Sequence, residues 1–169
     1  MLDQVQKPTR YTGGEMNTQL KPWDSAKLHF AFCFPDTYEV GMSHLGMKIL
    51  YAAMNQQPDM LCERAFMPWV DMMDLMKQEK VPLFTLESRS PLSAFDVVGF
   101  TLQYEMSYSN ILAMLELGGI PLLRENRREE DPIVVAGGPC AFNPEPLADF
   151  IDAFMVGDGE EQILDLNRV

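Results

Sequence analysis

A doubly wound, mostly parallel α/β sheet with helices on both faces is the fold this sequence predicts, and three observations predict it. Apolar runs of strand length alternate with segments whose apolar residues recur at helical spacing, the pattern of repeated strand-loop-helix units. The stretch Phe95 to Leu102, with Val97, Val98 and Phe100, is apolar at consecutive positions, as a strand buried on both faces should be. Several runs also end in short loops rich in glycine, and an open parallel sheet builds its ligand site at such carboxyl ends.

Residues 1–26 carry Lys7-Pro8, Gly13-Gly14 and Lys21-Pro22 without sustained periodicity, which predicts an extended leader crossing the surface with little regular structure. The domain proper is expected over 27–169. Leu28 to Phe34 reads as the first strand, and Met42, Leu45, Gly46, Ile49, Leu50 and Ala53 fall at helical spacing after it. A second strand is expected over Leu61 to Phe66, followed by a helix with Trp69, Met72, Met73 and Met76 on one face and Asp71, Asp74 and Lys77 on another. Pro82 to Leu86 is a further strand candidate. After the Phe95–Leu102 strand, Tyr108, Ile111, Leu112 and Leu115 form a helical stripe, which Gly118-Gly119 stops in left-handed geometry with Pro121 close behind. A charged turn, Arg124 to Glu130, leads to two short apolar runs. Ile133 to Ala136 ends in Gly137-Gly138-Pro139, and Ala153 to Val156 ends in Gly157-Asp158-Gly159. The architecture expected is thus flavodoxin-like or Rossmann-like, with no internal repeat.

A chain of 169 residues with 47% hydrophobic content suits one domain that buries roughly two thirds of its unfolded surface. Its formal net charge of -12 argues against direct contact with nucleic acid, which relies on clustered Lys and Arg. No run of about 18 apolar residues is present, so no membrane span is expected. Cys33, Cys62 and Cys140 are odd in number and far apart, and no secretory leader opens the chain, which together point to a reducing cytoplasm.

Three loops gather the candidate site residues: Asp36, Tyr38 and Gly41 after the first strand; Gly137, Gly138 and Pro139; and Gly157, Asp158, Gly159 and Glu160. Glycines let backbone approach a ligand closely and offer it N–H groups. Taken singly, each loop is equally well read as a tight turn, and Asp36 as a helix-start residue. His44 and His29 lack a metal-binding partner at the right spacing and read as structural. Cys33 and Cys140 lie near the strand ends, with buried thiols the commoner outcome. Tyr104, Tyr108 and Gln103 follow the central strand, where stacking on a planar ligand is the functional reading and packing on the sheet the structural one.

The spacing Asp36-x-Tyr38-x-x-Gly41 resembles the Asp-x-His-x-x-Gly signature of cobalamin-binding domains, with tyrosine where the cobalt-ligating histidine stands. Beyond it run Gly41-Met-Ser-His-Leu-Gly46, then Ala136-Gly-Gly-Pro139, then Asp149-Phe-Ile-Asp-Ala-Phe-Met-Val-Gly-Asp-Gly-Glu-Glu161. In that order they resemble the N-terminal cobalamin-binding-type domain of radical S-adenosylmethionine (SAM) proteins over roughly Lys27 to Asn167, with Asp158 in place of a more usual glutamate. The resemblance implies a corrinoid in this domain or a role in shaping the active site of a downstream catalytic barrel. That barrel is the expected partner, and the iron-sulfur cluster and S-adenosylmethionine are expected there, because this chain has no Cys-x-x-x-Cys-x-x-Cys motif. A phenol is a poor cobalt ligand at neutral pH, so the alternative is a degenerate α/β scaffold or interaction domain that binds no cobalamin. No residue is assigned a catalytic or metal-binding role. A flavodoxin or phospho-receiver site is disfavoured by the lack of a phosphate loop and of an acidic neighbour for Asp36.

Overall fold

The computed structural model describes residues 1–165, so the last four positions of the expected domain lie outside the described residues. Five strands form one sheet: β1 (Leu28–Phe34), β2 (Met60–Phe66), β3 (Val97–Thr101), β4 (Ile133–Gly137) and β5 (Ala153–Met155). Their order is β2-β1-β3-β4-β5 and every pairing is parallel. Five α-helices accompany them: α1 (Tyr38–Ser43), α2 (Leu45–Gln56), α3 (Val70–Glu79), α4 (Tyr108–Leu117) and α5 (Gly159–Asp165).

The register divides the central strands between two cores. Phe30 pairs with Val97, and Phe32 with Gly99, on the face packed by Met47, Tyr51 and Met54 of α2 and Ile163 of α5. Ala31 and Cys33 pair with Val98 and Phe100 on the opposite face, under Met72 and Met76 of α3 and Ile111, Met114 and Leu115 of α4. Both faces are covered, which is why the strands are apolar at consecutive positions.

Three sequence expectations change. The helix expected from Met42 to Ala53 is broken at His44, whose backbone is extended (φ -78°, ψ 114°). The break rotates the buried face of α2 to Met47, Tyr51, Met54 and Asn55, while Leu45 and Ile49 are exposed. Pro82 to Leu86 forms no strand; only Phe84 bridges Pro91, because the chain turns back at Ser88 and Arg89, the latter at φ 63°. The left-handed stop after α4 falls on Gly119 (φ 72°), while Gly118 stays helical.

Charged residues on β2 explain where the leader goes. Arg64 lies on the α2 face, its side chain buried, with Tyr51 beneath its guanidinium at 4.6 Å. Its Nε donates to Glu87 Oε1 at 2.6 Å, and a terminal nitrogen donates to Glu15 Oε2 at 2.9 Å. Glu63 faces the other way and accepts from the Thr85 and Ser88 hydroxyls. The loop 85–90 therefore clasps the edge strand from both faces, and Leu86 N–H donates to the Arg64 carbonyl, so this edge is closed to further pairing. The leader forms three single 3-10 turns and is tied along the same side. Lys7 and Arg10 bond Glu39, Lys21 Nζ donates to the Gln57 and Met60 carbonyls, and Trp23 stacks on His29 at 4.1 Å.

Burial raises the Glu87 carboxyl against the opposing pull of Arg64; without that partner it would be a buried, uncompensated acid. Arg64→Ala should lower stability by about 3–5 kcal/mol, read as a reduced urea midpoint, whereas Lys77→Ala on the surface should change it by less than about 1 kcal/mol. Glu39 is desolvated, yet the opposing hydrogen bonds from Arg10 and Lys7 win and hold its carboxyl down to about 2. A depressed carboxylate stabilises the folded chain above its unfolded pKa of about 4.3. That contribution is lost as pH falls through about 2. Carboxyl NMR titration should place the Glu39 midpoint near 2, and Arg10→Ala should return it toward the ordinary range.

Candidate functional site

Positions 99 and 137 carry no side chain on the sheet face under α2 and α5. Thr101 pairs with Gly137, and Gly137 with Met155, so this bare patch lies at the carboxyl ends of β3, β4 and β5. The consequence is a cavity of about 250 Å³, bounded by Phe30, Phe32 and Gly99 on the sheet and by Met47, Leu50 and Ile163 on the helices. It is smaller than the ~300–1,000 Å³ of a drug-sized ligand pocket. Gly138, Pro139, Gly157, Gly159 and Glu160 line it from the loops after β4 and β5, together with Gly137, and His44, Thr101 and Gln103 supply polar atoms.

Two glycines are demanded by geometry. A Cβ on Gly99 would stand 2.2 Å from Phe30 Cζ, so the Phe30 ring lies directly on the backbone of the neighbouring strand. Gly138 sits at φ 105°, and a Cβ there would meet the Leu102 carbonyl oxygen at 2.9 Å. Gly137 differs: its Cβ would make ordinary contact with Met155 at 3.5 Å, so a side chain there would enter the cavity rather than strain the strand.

Of the residues expected from sequence, Gly137, Gly138, Pro139, Gly157, Gly159 and Glu160 come together at this cavity. Asp158 is exposed between them and does not line it. The first loop lies elsewhere. Asp36 accepts the Tyr104 hydroxyl at 3.1 Å and the Thr37 N–H at 2.6 Å, bridging the ends of β1 and β3. The Tyr38 hydroxyl donates to Glu15 at 2.7 Å and its ring packs edge-on against Phe66. Burial, reinforced by Glu15, pushes its pKa up to about 12. Gly41 is buried because a Cβ would stand 2.3 Å from the Phe66 ring. Cys33 is fully buried on the α3/α4 face, where desolvation raises its thiol, and Cys140 is half-buried; neither lines the cavity.

Sequence reasoning missed Gly99 and His44. A glycine inside the apolar run Val97-Val-Gly-Phe100 is itself a signal of close backbone approach. For His44 no signal existed, since its place at the cavity depends on the helix break. Among the described residues, no group of three or more His, Cys, Asp and Glu could hold a metal ion.

Residues 46–169 match the family described as radical SAM proteins, N-terminal. The chain belongs to that family. This N-terminal radical SAM domain is 29% identical over 131 residues to an uncharacterized protein of Methanocaldococcus jannaschii, covering 77% of the chain and 24% of that relative. The domain therefore spans about a quarter of the length of the relative it matches. No solved structure matches the chain. The matched segment contains every glycine of the cavity, whereas Asp36, Tyr38 and Gly41 precede it.

Gly99→Ala should cost about 1–3 kcal/mol because the rigid Phe30 ring must move. Gly137→Ala should change stability by less than about 1 kcal/mol, since its methyl meets only ordinary contacts. Parallel urea melts of the two variants check the difference.

Proposed function

We propose that this domain sits on the catalytic barrel of a radical SAM enzyme through the carboxyl edge of its sheet, and holds part of a cofactor or substrate in the cavity that opens there. The observation that carries the reading is the composition of that edge. Val40, Leu45, Trp69, Val70, Tyr104, Met106, Phe142 and Val156, all exposed, follow the carboxyl ends of the five strands. Isolated exposed apolar residues are ordinary, but a set that converges on one edge marks a covered surface. The same loops, 35–44, 67–69, 102–107, 138–150 and 156–160, contain seven Asp and Glu and no Lys or Arg. A partner with an apolar surface rimmed by basic side chains matches that edge.

A corrinoid is the cofactor proposed for the cavity. A space of about 250 Å³ would take one flat ring system of such a molecule, the macrocycle remaining outside along Gly138, Pro139, Gly157 and Gly159. When bound, a corrinoid supplies methyl transfer or a cobalt-assisted radical step to the barrel. The chain's own part is to exclude water with Phe30, Phe32, Met47 and Ile163 and to let the loop backbone approach the ligand. Tyr38 contributes no axial ligand, because its hydroxyl is committed to Glu15. That commitment favours the second reading, a scaffold that covers the barrel and binds no corrinoid.

The two readings part in one experiment. Visible-absorption titration with hydroxocobalamin and methylcobalamin, followed by desalting, should leave about one corrinoid per chain with a shifted spectrum. Gly137→Val, which fills the cavity from β4, should abolish retention while the urea midpoint stays within about 1 kcal/mol of the parent. No retention by the parent chain establishes the scaffold reading.

A further inference from the structure

The polar chemistry of the cavity turns on His44. This residue is the N-cap of α2, and its Nδ1 accepts the backbone N–H of Met47 at 3.1 Å. That bond satisfies one of the donors a helix start leaves unpaired. An imidazole nitrogen that accepts a hydrogen bond carries no proton, so in the neutral ring the proton is on Nε2. The ring is confined in this pose: Phe34 lies beside it at 5.3 Å between centroids, and a Cβ on Gly46 would stand 3.0 Å from His44 Cε1.

The same ring lines the cavity. Nε2 has no hydrogen-bond partner among the described residues, while every fully buried side-chain nitrogen and oxygen among them is paired. Nε2 is therefore reachable, and it offers a donor. The helix cap sets the tautomer, and the tautomer sets the sign of the hydrogen bond that a ligand receives.

The rest of the lining narrows the ligand. Glu160 is its one charged member and neither Lys nor Arg is present, so nothing there compensates a phosphate or carboxylate. The Thr101 hydroxyl already accepts from the Gln103 amide. The volume, about 250 Å³, equals roughly eight waters, the size of a two-ring heterocycle. The wall is otherwise aromatic, aliphatic and glycine backbone.

We infer that the cavity selects an uncharged, flat heteroaromatic group bearing an unprotonated acceptor, a ring nitrogen or a carbonyl, which receives the His44 Nε2–H. His44 is thereby a specificity residue. It is not a metal ligand in this pose, because coordination through Nε2 requires the proton to move to Nδ1, which removes the α2 cap. The inference rests on the reading of the cavity as a ligand site and adds which atom reads the ligand.

Benzimidazole and indole share a two-ring frame, but only benzimidazole has a ring nitrogen that accepts. Titrations of the chain with each, followed by NMR at mildly alkaline pH, should give at least about tenfold tighter binding of benzimidazole. The ¹⁵N shifts of His44 should show an unprotonated Nδ1 and a protonated Nε2. His44→Phe removes both donor and cap, so His44→Asn is the deciding variant. Asparagine is a strong N-cap and keeps an oxygen for Met47 N–H, but has no donor in the place of Nε2. It should keep α2 intact by amide exchange and bind the two probes equally. Equal binding by the parent chain, a preference that survives His44→Asn, or the opposite tautomer overturns the role of His44 and leaves the cavity reading standing. Failure of both probes to bind overturns the cavity reading itself, and this inference with it.

Discussion

The ring of Phe30 lies against the bare backbone of Gly99 at the centre of the sheet, and the shape of the candidate site depends on that contact. Protein interiors are packed nearly to crystal density, so a void that persists needs side chains missing on one side and rigid neighbours on the other. Phe30 and Val97 fill the layer toward the amino ends of β1 and β3. Beyond Gly99 the next bare position on the same face is Gly137, and α2 and α5 span the gap without entering it. The void opens where a parallel sheet of this order exposes its carboxyl ends, the usual place for a ligand in such folds.

The edge strand poses the opposite problem. β2 places Glu63 and Arg64 on adjacent positions, hence on opposite faces, and both are buried. Buried charges persist only with partners. The partners come from two segments distant in sequence, the loop 85–90 and the leader around Glu15. The ion network therefore attaches the leader to the domain and caps a strand edge at once, while the cavity side of the sheet stays apolar. Charge is concentrated where it can be paired, and the ligand face is left with one carboxylate and one imidazole.

The carboxyl edge is unlike a phosphate-binding edge. Folds of this class that bind nucleotides use glycine loops, a helix start and basic side chains to compensate negative charge. Here the glycine loops are present, but the surrounding loops hold acidic side chains and no basic ones. Such an edge suits a neutral or cationic ligand and a basic partner surface, which accords with membership of a radical SAM N-terminal family and with the proposed docking on a barrel.

The sequence by itself determined the order and type of the main elements. Consecutive apolar residues marked all five strands, because burial on both faces leaves no room for alternation. The Gly137-Gly138-Pro139 and Gly157 to Glu160 loops were legible as site residues, since glycine beside a strand end has few other uses. Tertiary structure alone decided that Asp36, Tyr38 and Gly41 join a packing clasp around Phe66 and Tyr104 instead of the cavity. It also decided the face of α2, which the break at His44 rotates away from the apolar stripe read along the chain. The physical reason is the same in each case. Local periodicity reports what a segment buries, whereas a cavity is made of side chains absent from segments as far apart as Gly99, Gly137 and Gly159, and no local pattern records their meeting.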